Sequence, residues 1–360
     1  MKNSVYSSVG RGRILLLCIV FVAATGQNVR KGDVRQESSS QESSAQTSSG
    51  SRAENWTMWG GPRRDFITSS TGILGGQDAG WISKPPVKLW ERPLGDGYSP
   101  IAEENGVLYT AYRRGSNDVV IALDARSGET IWEYDYKAPF RNAYSERVGP
   151  GPYAMPQVVG NRVVTASGDG QIHSIDKKTG KPVWSRNLYA EFGGNRLEFG
   201  YSSHALPYKD TLIVLAGGKQ GAVVKLRQSD GGIIWKKHDL RIAHSSPILI
   251  EVDGQKQVAA LLAQEIIGLD PESGDLLWRH EPPTEYGLAV STPVWAGGNL
   301  LFLSTAYGGG SRVLQLTRSG RETKVAEVWH NRRVQSHFGT VIRQGNQLYL
   351  SSGQNGPSFI

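Results

Sequence analysis

An 11-residue unit that ends in tryptophan returns four times along the chain. It runs Ala122-Leu-Asp-Ala-Arg-Ser-Gly128-Glu-Thr-Ile-Trp132, then Ser174-Ile-Asp-Lys-Lys-Thr-Gly180-Lys-Pro-Val-Trp184. The third copy is Lys225-Leu-Arg-Gln-Ser-Asp-Gly231-Gly-Ile-Ile-Trp235, and the fourth Gly268-Leu-Asp-Pro-Glu-Ser-Gly274-Asp-Leu-Leu-Trp278. Gly stands four places before Trp in every copy. Asp stands eight places before it in three, and Arg227 takes that place in the other. The Trp-to-Trp steps are 52, 51 and 43 residues, the period of four-stranded propeller blades. Trp90 and Trp329 extend the series at both ends without the Gly.

Each unit has a local physical reading. Asp-x-x-Ser/Thr-Gly is a hairpin turn in which Gly takes a positive φ. The residues before it form one strand, Val119 to Leu123 in the first copy, and the residues ending in Trp form the next. Two more strands lie upstream. In the second repeat they are Met155 to Val159 and Arg162 to Ala166, split by Gly160-Asn161. In the fifth they are Thr292 to Ala296 and Leu300 to Ser304, split by Gly297-Gly298. The 44 Gly, 10 Trp and 14 Tyr among 360 residues fit short strands joined by tight turns. The sequence predicts an all-β chain, a β-propeller of four-stranded blades.

The Ala-x-Asp-x-x-Thr-Gly-x-x-x-Trp unit resembles the tryptophan-docking motif of pyrroloquinoline-quinone repeats, over about residues 86 to 360. The resemblance implies that Trp132, Trp184, Trp235 and Trp278 pack against neighbouring blades, with Gly128, Gly180, Gly231 and Gly274 in the turns. The opening Asn55-Trp56-Thr-Met-Trp59-Gly-Gly-Pro62-Arg-Arg-Asp65 is similar to the start of exported repeat proteins of planctomycete-type bacteria. Similar repeats also form the propeller subunit of the bacterial outer-membrane protein assembly machine, a more distant relative. Five repeats are complete and a sixth begins near His337. The expectation is therefore at least six blades, and seven or eight in the intact protein as is usual in the family. The propeller domain, 55–360, is expected to be C-terminally incomplete.

Residues 1–26 have the form of a secretory signal peptide. Lys2, Arg11 and Arg13 precede an apolar run from Ile14 to Ala24, too short to span a bilayer. Cys18, the sole cysteine, lies inside that run, so the mature chain carries no disulfide. Residues 27–54 read as a disordered Ser/Gln-rich spacer. These features predict a periplasmic or secreted protein with no transmembrane span once the signal is removed. The net charge of +7 includes three basic residues of the signal, and the remainder shows no basic stripe. Nucleic acid is not an expected partner.

In the quinoprotein dehydrogenases of this superfamily the quinone lies over the propeller axis, between a Trp and a ring of adjacent cysteines. Calcium is held there by Glu and Asn, and an Asp acts as base. The mature chain lacks the cysteines, and no segment matches the calcium and base positions. No catalytic residue, metal or cofactor is assigned. His204, His244 and His337 each start the first strand of a repeat, with Ser246 nearby, and are candidates for a polar binding mouth at the central channel. The bland alternative is polar residues solvating a narrow channel. His173, His238, His280 and His330 read as surface or hairpin residues. The sequence thus points to a non-catalytic exported scaffold that binds a protein, peptide or polysaccharide partner, the last because Trp56, Trp59, Trp81 and Trp295 fall outside the docking series, where simple packing is the bland alternative. The alternative is a pyrroloquinoline-quinone-dependent sugar or alcohol oxidoreductase, for which quinone and calcium would be the cofactors.

Overall fold

A computed structural model describes residues 54–70, 87–140, 149–219, 221–281, 284–353 and 358–359. Residues 54–69 and 86–360 belong to one compact unit, and all that follows concerns it. The predicted signal peptide and all of the spacer but Glu54 lie outside the described residues, as does Trp81.

Five four-stranded antiparallel sheets follow one another, each a simple meander. The first holds β1 (Ala102–Glu104), β2 (Val107–Arg114), β3 (Asn117–Asp124) and β4 (Thr130–Lys137). The second holds β5 (Gln157–Val159), β6 (Arg162–Ala166), β7 (Gln171–Asp176) and β8 (Pro182–Asn187), and is followed by a short helix α1 (Leu188–Phe192). The third comprises β9 (Leu206–Tyr208), β10 (Thr211–Leu215), β11 (Val223–Arg227) and β12 (Ile233–Lys237). The fourth comprises β13 (Ile248–Val252), β14 (Gln255–Leu261), β15 (Ile266–Leu269) and β16 (Leu276–His280). The fifth has β17 (Val294–Gly297), β18 (Leu300–Thr305) and two ten-residue strands, β19 (Gly310–Ser319) and β20 (Glu322–Asn331). Two strand pairs close the described chain: β21 (Ile342–Gln344) with β22 (Gln347–Tyr349), and β23 (Ser351–Ser352) with β24 (Ser358–Phe359).

The repeat unit builds the turn between the third and fourth strands. Asp124 accepts the amides of Arg126 and Ser127 at 3.0 and 2.8 Å. Asp176 and Asp270 do the same for Thr179 and for Glu272 and Ser273. Where Arg227 replaces Asp, Asp230 takes over, accepting from Gly232 at 2.8 Å while pairing with Arg227 at 2.7 Å. Side-chain capping of this kind holds the turn without help from its neighbours.

The Gly at the end of each turn receives a Trp from the preceding segment. A Cβ on Gly180 would lie 2.8 Å from the Trp132 ring, and one on Gly231 2.7 Å from Trp184. Gly274 meets Trp235 in the same way, and Gly128 meets Trp90, which comes from before the first sheet. The ring N–H of Trp90, Trp132 and Trp184 donates to the carbonyls of Ala125, Lys177 and Gln228 at 2.9–3.0 Å. Trp278 behaves differently. The fifth sheet has no Asp-x-x-Ser-Gly turn to receive it. Its N–H donates to Gln257 of β14 at 2.7 Å, and Gln257 in turn donates to Thr323 of β20 at 2.8 Å. Gly231 has φ +70, so Gly231→Ala adds both a ring clash and backbone strain. It should cost about 1–2 kcal/mol, read as a lowered thermal midpoint. An unchanged midpoint would mean the ring moves aside freely.

The second and third strands are buried on both faces, as in β10, where all five residues are buried. Fourth strands show only alternate residues inward: Trp132 and Tyr136 are buried in β4 while their neighbours are not. Stacking of sheet on sheet forms the core, and it is continuous from Ala154 of the second repeat to Leu269 of the fourth.

Candidate functional site

The first strand of each sheet lies at the inner rim, and a loop from before the first sheet enters against it. Trp56 pairs antiparallel with Glu103 through two 2.9 Å backbone bonds, and Val158 of β5 donates to the Thr57 carbonyl at 2.7 Å. The chain then turns tightly at Gly60 and Gly61, both at positive φ. It returns to Glu54, which accepts from Arg63 and from the Ser69 amide, both at 2.6 Å. Residues 54–69 are thus an Ω-shaped loop with its ends tied. Arg64 sits at its tip. Its guanidinium donates to the carbonyl of Pro247 at 2.9 Å and to that of Ala205, joining the third and fourth repeats. Burial pushes the Arg64 pKa down to about 10, so it stays charged near neutrality.

His204 lies beneath this loop. The Trp59 ring stacks on its imidazole, 4.9 Å between centroids and 2° from parallel. His204 Nε2 accepts the Met155 amide at 3.0 Å, so the ring proton is on Nδ1, 3.1 Å from Ser246 Oγ. Ser246 Oγ also accepts the His204 amide at 3.0 Å. Burial, with the Arg64 charge behind it, pushes the His204 pKa down to about 3. His204 and Ser246 therefore bond the second, third and fourth repeats to one another. Similar bonds run along the rim: Ser99 to the Ala154 carbonyl at 3.0 Å, and Ser245 to the Ser291 carbonyl at 3.1 Å.

The three candidate histidines are not in equivalent places. His204 corresponds to Ser246, while His244 stands two residues earlier and bonds Ser202 at 3.0 Å. The Ser246-Pro247 and Thr292-Pro293 pairs carry the register that would have shown this. His244 Nε2 is buried without a partner, and burial lowers the His244 pKa to about 4. His337 bonds the Tyr307 hydroxyl at 2.7 Å. Among the described residues, no group of three or more His, Cys, Asp or Glu could hold a metal ion.

His337 belongs to an aromatic cluster that sequence reading missed. Tyr286, Tyr307, His337 and Phe338 follow one another at centroid spacings of 5.7, 5.0 and 3.8 Å. They come from three loops at one end of the fifth sheet: the entry to β17, the turn from β18 to β19, and the entry to β21. Tyr286 is 77% exposed and Phe338 75%. Tyr286 and Tyr307 sit at φ 64 and 53, a strained conformation for a bulky residue. His173 is not a surface or hairpin residue. It is buried, stacked 3.8 Å from Tyr136, and bonds Tyr134 at 3.1 Å. Its place inside β7, a third strand of a repeat and therefore buried on both faces, was the available signal.

A cavity of about 500 Å³ lies between the loop tip and the inner strands of the third to sixth repeats. Its walls are mixed: Phe66, Ile248 and Trp295 are among the apolar residues, and Arg63, Arg64, Asp65 and Arg343 also line it. Trp56, Trp59 and Trp295 are all partly buried and packed on the core.

Comparison with known proteins agrees with this architecture. The chain matches the family model described as "Outer membrane protein assembly factor BamB" at residues 75–236 and 116–358. It is 30% identical over 156 residues to the quinoprotein alcohol dehydrogenase PedH of Pseudomonas putida, covering 41% of this chain and 24% of that protein. It is 28% identical over 151 residues to the outer membrane protein assembly factor BamB of Alkalilimnicola ehrlichii, covering 41% of this chain and 37% of that one. The chain thus spans well under half the length of these curated relatives. A europium-containing methanol dehydrogenase superposes with a TM-score of 0.51 at 13% identity, covering 76% of this chain and 70% of that one, a likeness of fold alone. The matched relatives are of both kinds, assembly factor and dehydrogenase. The chain belongs to the pyrroloquinoline-quinone-type repeat propellers, the family described as outer membrane protein assembly factor BamB.

Proposed function

We propose that this chain is a non-catalytic, exported propeller scaffold that holds a protein partner, in extended form, on the sheet end that displays Tyr286 and Phe338. The observation that carries the reading is that aromatic cluster. Two rings more than 70% exposed are costly to leave in water, and a strained backbone is kept to display one of them. Aromatic side chains dominate partner binding because they bury much area with few torsions to freeze. A family of assembly factors favours a protein over a polysaccharide, and the tryptophans outside the docking series that are described are engaged in packing.

The oxidoreductase reading finds less support. Residues at the axis do not fit a calcium-bound quinone. The Trp59 face is covered by His204, and Phe66 stands perpendicular to the same ring at 5.1 Å. Asp65, the acid lining the cavity, is paired with Arg63 at 3.1 Å.

Two measurements test the proposal. Peptides selected by display on the full chain should lose at least about tenfold in affinity to the Tyr286→Ser/Phe338→Ser double variant, the loss of two aromatic anchors. Unchanged affinity would remove the cluster from the binding face. Calorimetric titration with pyrroloquinoline quinone should show no calcium-dependent heat. Calcium-dependent binding at micromolar concentration or below would overturn the scaffold reading in favour of an oxidoreductase.

A further inference from the structure

The cavity carries charge that no described residue neutralises. Arg64 and Arg343 both line it, and neither forms an ion pair among the described residues. Arg64 gives its terminal nitrogens to two backbone carbonyls, and its Nε is buried with no acceptor. Arg343 gives its Nε to the Gly345 carbonyl at 2.9 Å, and its terminal nitrogens lie over Gly297. The lining acid, Asp65, is taken by Arg63. A buried guanidinium without a counter-charge is costly, and an anion in the cavity would repay that cost.

The walls restrict which anion fits. About half of the lining is apolar, supplied by Leu206, Ile248, Leu249 and Val294 of the inner strands together with Phe66 and Trp295, and the rest is polar or charged. A bare inorganic anion would leave the apolar half wet. At about 500 Å³ the cavity lies within the range of small-molecule sites. The terminal nitrogens of a guanidinium match the two oxygens of a carboxylate. We propose that this cavity binds a medium-chain aliphatic carboxylate, its head on Arg343 and Arg64 and its chain along the apolar inner strands. The site is separate from the aromatic cluster and stands or falls apart from the scaffold reading.

The test is calorimetric titration of the full chain with octanoate, 1-octanol and octylamine. Octanoate should bind at least about tenfold more tightly than the uncharged alcohol, as a charge-assisted contact requires, and octylamine should be weaker still. Arg343→Met, a substitution at a half-buried position that leaves the loop in place, should reduce octanoate to the level of the alcohol. Arg333→Met, outside the cavity, should leave octanoate binding as it was. Equal affinity for octanoate and octanol would overturn the proposal. So would an absence of binding, or octanoate binding that survives Arg343→Met or falls equally with Arg333→Met.

Discussion

Trp184→Ala should destabilise the propeller by ~3–5 kcal/mol, the cost of removing a large buried side chain and leaving its cavity. Trp184 is 9% exposed and packs its ring on Gly231 of the next sheet. Its N–H donates to the Gln228 carbonyl at 2.9 Å, so the truncation also leaves an acceptor without its donor. One side chain thus fixes the distance between two sheets and covers the turn of the second. Since domain stabilities are on the order of 5–15 kcal/mol, this substitution should shift the urea midpoint further than any surface change. A midpoint close to that of the unaltered chain would show that the sheets hold together without the docked ring.

A milder substitution separates the ring from its hydrogen bond. Trp235 packs on Gly274 as Trp184 packs on Gly231, but its N–H has no partner. The carbonyl in the corresponding place, that of Pro271, accepts from the buried Lys225 at 2.8 Å instead. Trp184→Phe should therefore cost about 1 kcal/mol more than Trp235→Phe, the worth of one hydrogen bond. Equal costs would mean that the indole N–H contributes nothing at this joint.

The docked tryptophans were legible because everything they need is written within 11 residues: a capping Asp, a Gly at positive φ and a Trp at fixed spacing. Asp230 shows how local that logic is, since it restores the turn when Arg227 displaces the usual Asp. The fifth sheet lacks the motif, and there the expectation for Trp278 missed the Gln257 and Thr323 relay. The loop 54–69 was beyond reach for a different reason. Arg64 binds backbone carbonyls of Ala205 and Pro247, 141 and 183 residues away. A carbonyl carries no sequence signal, so nothing in the residues at 205 or 247 announces its partner. The aromatic cluster is likewise assembled from three loops, and no spacing within one segment reveals it.

Stability should fall steeply as the solution is acidified from pH 6.5. An unfolded histidine takes up a proton near pH 6.5, whereas burial holds His204 down at about 3 and His173 at about 4. His244 is held at about 4 as well, though it is partly exposed and should contribute less. Below 6.5 the unfolded chain therefore binds protons that the folded chain refuses, and their linkage contribution, complete above 6.5, is lost as the pH drops towards the folded values. Asp118 opposes this trend. Burial pushes it up to about 7 despite Arg113 at 2.8 Å, so the folded chain keeps a proton there that the unfolded chain releases down to 3.8. The balance grows to an uptake of about one to two protons on unfolding by pH 5, or ~1–3 kcal/mol lost between pH 6.5 and about 5. Urea midpoints across that interval measure it directly. His204→Gln, whose amide can still accept from Met155 and donate to Ser246, should flatten the slope by about one proton. Asp118→Asn should steepen it by a similar amount. If stability were constant or rose on acidification, the imidazoles would not be held neutral at the rim, and the bonds of His204 to Met155 and Ser246 would have to be reassigned.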